Sequence, residues 1–145
     1  MNPDFVDLLN AFADADVRFL VVGAYALGVH GRPRATGDLD VWVEATPENA
    51  ARVINGLDAF GAPLRGVTES DFSQPGCTYQ IGTAPIRIDI LTELTALTFA
   101  DAWAGRVRRP FGPIDVDYIG REAFILNKKA TGRPKDLVDI EGFEP

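Results

Sequence analysis

The chain has 145 residues, 46% of them apolar, with a formal charge of −7 and one cysteine. That length and apolar content suit one globular domain with its own core over 1–145, while a pI near 4.6 excludes broad, non-specific attraction to nucleic acid. Cys77 alone closes no intrachain disulfide and builds no multi-cysteine zinc site. No run approaches about 18 consecutive apolar residues, so no membrane span is expected. The first residues lack a basic segment and are interrupted by Asp4, Asp7 and Asp14, so no signal peptide is expected. The cytoplasm is the expected compartment.

In chain order, Phe5, Leu8, Leu9 and Phe12 recur at helical spacing and predict an amphipathic helix over 3–15. "VRFLVV" (17–22) reads as a short strand that Gly23 ends, "AYALGVHG" as a short helix or helical turn, and "DLDVWVE" (38–44) as a second strand. Thr46-Pro47 has the form of an N-cap with proline at the first helical position, and Ala50, Val53, Ile54 and Leu57 give that helix an apolar stripe until Gly61. Residues 62–76 read as an irregular loop. "CTYQIG" and "PIRIDILT" predict two strands joined tightly near Gly82-Thr83-Ala84. A short helix around "TFADAWAG" follows, then two edge-like strands, "RVRRPF" and "IDVDYI", split by Gly112-Pro113. "REAFILNKKA" and "PKDLVDI" close the chain as helices. The order predicts an α/β or α+β fold, a mixed sheet flanked by helices.

The positive charges fall in three groups: Arg32 and Arg34; Arg106, Arg108 and Arg109; and Lys128, Lys129, Arg133 and Lys135. Local cationic clusters in an acidic chain suit a small polyanion, or one bound through metal, better than a long duplex.

Side chains alternate along a strand, so Asp38 and Asp40 share a face, roughly 6.5–7 Å apart at the backbone, while Leu39, Val41 and Val43 face the core. In "PIRIDIL" the same rule puts Ile86, Ile88 and Ile90 on one face and Arg87, Asp89 and Leu91 on the other. If the two strands are neighbours, three carboxylates converge, and like charges that close call for a cation. Mg²⁺ takes oxygen ligands, usually a few carboxylates plus substrate phosphates, and paired ions of this kind support in-line phosphoryl displacement. The plainer alternative is that Asp38, after Gly37, is a turn residue bonded to nearby amides. Gly23 ends a strand where backbone can approach a phosphate, or simply turns the chain. Arg32 and Arg34, around Pro33, either fork onto a phosphate or sit in a solvated loop. His30 reads as a structural hydrogen-bonding residue rather than a base. Trp42, on the aspartate face, either stacks a base or packs under the terminal helices.

Three blocks, "GAYALGVHGRPRATGDLDVWV", "RIDIL" and "NKKATGRPKDLVDI", together resemble the minimal nucleotidyltransferases of the DNA polymerase β superfamily. More closely they look like the branch related to the AbiEii and MenT toxins. The resemblance runs from residue 20 to about 141 and implies a nucleotidyltransferase fold. It further implies that Asp38, Asp40 and Asp89 are both the catalytic residues and the ligands of Mg²⁺ (or Mn²⁺), and that Gly23 lets the first helix approach a nucleoside triphosphate. Ala24 stands where the family usually has Gly or Ser, which removes a hydroxyl contact. Lys128, Arg133, Lys135 and Asp136 match the C-terminal block, whose lysines face the nucleotide phosphates; Asp136 also suits the first turn of a helix begun by Pro134.

The implied activity is metal-dependent transfer of a nucleotide from a triphosphate to a hydroxyl on RNA, such as tRNA, or on protein, with Arg34, Lys128 and Lys135 neutralising phosphate charge. By resemblance the chain is then the toxin of a toxin–antitoxin pair, with an antitoxin protein as partner. The competing expectation is a nucleotidyltransferase-like binding or regulatory module without turnover. A metal-dependent hydrolase ranks below both, because it leaves Gly23 and the C-terminal lysines without a task.

Overall fold

The computed structural model describes residues 2–33, 35–83, 85–141 and 143. Its elements run α1 (Pro3–Asp14), β1 (Phe19–Val22), α2 (Gly23–Val29), β2 (Asp38–Val43), α3 (Pro47–Phe60), α4 (Glu69–Phe72), β3 (Thr78–Thr83), β4 (Ile86–Leu91), α5 (Phe99–Ala104), β5 (Val107–Phe111), β6 (Ile114–Tyr118), α6 (Arg121–Thr131) and α7 (Pro134–Asp139).

The strands form one six-stranded sheet in the order β3-β4-β2-β1-β6-β5. β2 lies at its middle, antiparallel to β1 and parallel to β4, and β1 runs parallel to β6. The antiparallel pairs β3–β4 and β5–β6 complete the two sides. This is a mixed α+β sheet flanked by helices, as the order of sequence patterns predicts.

Each face follows from the two-residue period. Phe19 pairs with Val43 and Val21 with Val41, so these side chains share one face with Leu39. The apolar stripe of α1 covers it, with the Phe12 ring 5.7 Å from that of Phe19 and Phe5, Leu8, Leu9 and Phe12 all buried. Leu20 and Val22 pair with Trp42 and Asp40 on the other face. There Phe99 of α5 meets Trp42 edge to face at 5.2 Å.

Three expectations need correction. "IDVDYI" is no edge strand: β6 lies between β1 and β5, because Val116 and Tyr118 give it a buried face and Ile119 continues the pairing by donating to Val21 O. The predicted first strand starts two residues late, since Asp16 takes a left-handed φ of 57° that breaks extension before Phe19. The loop over 62–76 contains α4, held by a Thr68/Asp71 capping box and anchored by the fully buried Phe72. Among the described residues, no helix is long and apolar enough to cross a membrane.

Candidate active site

The β2–β4 register decides the site. Asp40 pairs with Asp89 and Asp38 with Arg87, so one sheet face carries three carboxylates and a guanidinium on neighbouring parallel strands spaced about 4.8 Å apart. The Asp38 side chain is 42% exposed, whereas that of Asp89 is only 10% exposed. Arg87 lies between them. Its Nη2 is 3.6 Å from Asp38 Oδ2 and donates to Asp89 Oδ2 at 3.1 Å. Its Nε is 2.9 Å from Asp89 Oδ1, yet both of these buried atoms lack a hydrogen bond, so the contact is close but poorly aligned. The Arg87 guanidinium is held above its ordinary pKa by the hydrogen bond and charge of Asp89, with Asp38 and Asp40 adding to them.

Asp40 is the strained member. Burial pushes its carboxyl up to about 6, and the negative charges of Asp89 and Asp38 add to the rise, against the smaller opposing pull of Arg87 and Lys128. Two glycines permit this crowding. A Cβ on Gly23, which has φ +67°, would stand 2.2 Å from Asp40 Oδ2. A Cβ on Gly37 would fall 1.4 Å from Pro85 O, where Arg87 N–H donates to Gly37 O at 2.9 Å to set the β2–β4 register.

In front of Asp40 opens a cleft of about 290 Å³, floored by Val22, Gly23 and Asp40 and walled by Leu91, Glu93, Leu94, Thr95, Ile119, Phe124, Asn127, Lys128, Thr131 and Arg133. Lys128 enters from α6. Its Nζ lies 3.5 Å from Asp136 Oδ1 and 3.5 Å from Asp139 Oδ2, so two buried carboxylates on one face of α7 hold it from behind. Burial alone would raise the Asp136 carboxyl, but hydrogen bonds from Arg133 and Thr131, with the charges of Lys128 and Arg133, hold it well below the usual carboxylate range. Arg133 grips Asp136 with three bonds, Nε to Oδ2 at 2.6 Å, Nη2 to Oδ1 at 3.1 Å and its backbone N–H to Oδ2 at 3.3 Å.

The structure therefore brings Gly23, Asp40, Lys128 and Arg133 to one cleft, with Asp38 and Asp89 beside Asp40 on the same sheet face. Lys135 lies on the exposed side of α7 and does not line that cleft. Asp136 is fully buried behind Lys128. Ala24 is buried in the first turn of α2. Arg34 lies outside the described residues. Arg32 donates from Nη1 to Glu141 O, tying the loop after α2 to the end of the chain. His30 Nε2 is 2.8 Å from Ile119 O; a carbonyl only accepts, so that nitrogen carries the proton and the ring is a strut. Trp42 is 2% exposed and packs beneath α5 rather than under the terminal helices. The sequence reading missed Arg87 as counter-ion and Asp139 as second anchor of Lys128. The i, i+3 spacing of Asp136 and Asp139 is the signal that points to one acidic helix face.

No family profile matches the chain, and no curated protein matches it. Among solved structures it is similar to a proposed nucleotidyltransferase from Thermotoga maritima, with a TM-score of 0.63 over 99% of this chain and 94% of that one, at 12% identity. The chain has the nucleotidyltransferase fold. At that identity the likeness concerns the fold alone.

Proposed function

We propose that the chain is a metal-dependent nucleotidyltransferase that moves a nucleotide from a nucleoside triphosphate to a hydroxyl on RNA, such as tRNA, or on protein. The observation that carries this reading is the placement of Asp40 beside Asp38 and Asp89, on a cleft whose opposite wall presents Lys128. The donor set fits Mg²⁺ or Mn²⁺: three carboxylates on one sheet face, one of them raised to about 6 by its neighbours and burial, and a buried Asp89 oxygen without a hydrogen bond. Among the described residues no three such side chains stand close enough together to hold a metal ion as they are.

Bound by these carboxylates, the ion supplies charge neutralisation at the phosphates. The chain's own residues do the rest. Gly23 leaves room for the Asp40 carboxylate at the floor of the cleft, and Lys128, kept in place by Asp136 and Asp139, meets phosphate charge within it. The acceptor oxygen bonds to the α-phosphorus as the bond to the bridging oxygen breaks, and pyrophosphate leaves. Asp89 orients the acceptor hydroxyl and takes its proton as the new bond forms. Positioning and charge neutralisation are most of what such a transition state requires.

By the resemblance of its three motif blocks we place the chain in the AbiEii/MenT-like branch and read it as the toxin of a toxin–antitoxin pair acting in the cytoplasm. A second reading, a binding module without turnover, is favoured by Ala24 and by the Arg87 side chain lying against two of the carboxylates. Incubation with α-labelled triphosphates, Mg²⁺ and either total RNA or lysate protein separates the two. Label transfer by the wild type that Asp40→Asn abolishes supports the enzyme; triphosphate binding without transfer to any acceptor supports the module.

A further inference from the structure

We propose that Arg87 is a resident counter-ion that takes the place of a divalent cation between Asp38 and Asp89, and that it turns outward to a triphosphate when the ion enters. The inference rests on the metal-binding reading above. Three observations carry it. The guanidinium reaches both carboxylates from the same sheet face, within 3.6 Å of Asp38 Oδ2 and 3.1 Å of Asp89 Oδ2, so an ion bridging these aspartates needs oxygens that Arg87 now holds. The fit is imperfect, because Nε and Asp89 Oδ1 are buried at 2.9 Å without a formed hydrogen bond. The side chain also has a way out to solvent: it is 30% exposed and borders Asp38, which is 42% exposed.

Removing a cation from between like charges is unfavourable unless another replaces it. Arg87 thus supports the metal-free fold and competes with the ion. A guanidinium forks readily onto phosphate oxygens, so an incoming triphosphate gives the released Arg87 a new partner. Metal and triphosphate then bind cooperatively, each favouring the outward arginine, and the coupling is reciprocal.

The test is titration of the intact protein with Mn²⁺, reading the free ion by electron paramagnetic resonance, in the wild type, Arg87→Gln and Arg87→Lys, with and without a non-hydrolysable triphosphate analogue. Arg87→Gln should bind Mn²⁺ about tenfold more tightly than the wild type, within the usual range of such couplings, and melt at a lower temperature without metal. The analogue should tighten Mn²⁺ binding to the wild type and do so less for Arg87→Gln. Should Arg87→Gln fail to fold, Arg87→Lys serves instead: its compact ammonium cannot fork both aspartates, so it too should bind Mn²⁺ more tightly than the wild type. Unchanged or weaker Mn²⁺ binding in a folded variant overturns the counter-ion role while leaving the metal site standing. Absence of Mn²⁺ binding in the wild type and both variants overturns the metal site itself, and this inference with it.

Discussion

Asp40 and Asp89 are register partners on the parallel strands β2 and β4, so two carboxylates stand side by side at the centre of a sheet. Such a pair is unfavourable for folding by itself and persists because the surroundings impose it: apolar residues on the opposite face fix the register, and Gly37 lets the two strands approach. The arrangement has the form of a functional site that sacrifices stability for its task.

The strain has a pH signature. The Asp40 carboxyl rises from its ordinary 3.8 to about 6, so the folded chain holds that proton more tightly than the unfolded chain. Its contribution to stability is complete below 3.8 and is lost as pH rises through about 6. Melting temperature of the metal-free protein should therefore climb as pH falls from 7 to 5. Asp136 shifts the other way, and its contribution, present above 3.8 and lost only in stronger acid, stays constant over that interval. Asp40→Asn should flatten the climb and melt at pH 7 no lower than the wild type. A steep climb retained in Asp40→Asn would assign the effect to another group.

Gly23→Ala tests the close approach of backbone to carboxylate. The new Cβ would meet Asp40 Oδ2 at 2.2 Å, on a backbone with φ +67°, and a side chain forced into that region costs about 1–3 kcal/mol. Expected are a lower melting temperature and loss of triphosphate binding. Retention of both would mean that the turn adjusts freely.

Lys128 has both a binding and a folding role: its ammonium pairs with the buried Asp136 and Asp139, so Lys128→Ala should lower the melting temperature as well. Triphosphate affinity of the folded variant is the readout specific to binding. Lys128→Ala should weaken triphosphate affinity about tenfold or more, consistent with the loss of one charge-assisted contact of about 1.5–3 kcal/mol. Asp136→Asn should destabilise the protein by about 3–5 kcal/mol, as breaking a buried ion pair does, because Lys128 and Arg133 both lean on it. Triphosphate affinity untouched in folded Lys128→Ala would make Lys128 a purely structural residue.

Much of the site was legible because alternation is local. It placed Asp38 and Asp40 on one face and Arg87 with Asp89 on another strand's face, and helical spacing found α1 and α3. Which strands are neighbours is a long-range matter, so the pairing of Asp40 with Asp89 and the bridging by Arg87 emerged only in the folded chain. Lys135 illustrates helix phase: α7 starts at Pro134 and turns Asp136 and Asp139 inward, which leaves Lys135 outside. The interior position of β6 was hidden for the same reason as the strand pairing, since an alternating strand reads alike at an edge or inside a sheet until its partners are known.

The central claim is that the carboxylate face and Lys128 form a metal–triphosphate site, and thermal melting with ligand tests it most directly. With Mg²⁺ and each of the four triphosphates in turn, at one hundred times the dissociation constant, a site that binds only the folded chain stabilises it by about 2.7 kcal/mol, a rise of several degrees at this chain length. The account predicts such a rise for the wild type with at least one triphosphate, dependent on the metal and absent in Asp40→Asn. A wild-type melting temperature that ignores all four triphosphates at millimolar concentration with Mg²⁺ present would contradict it.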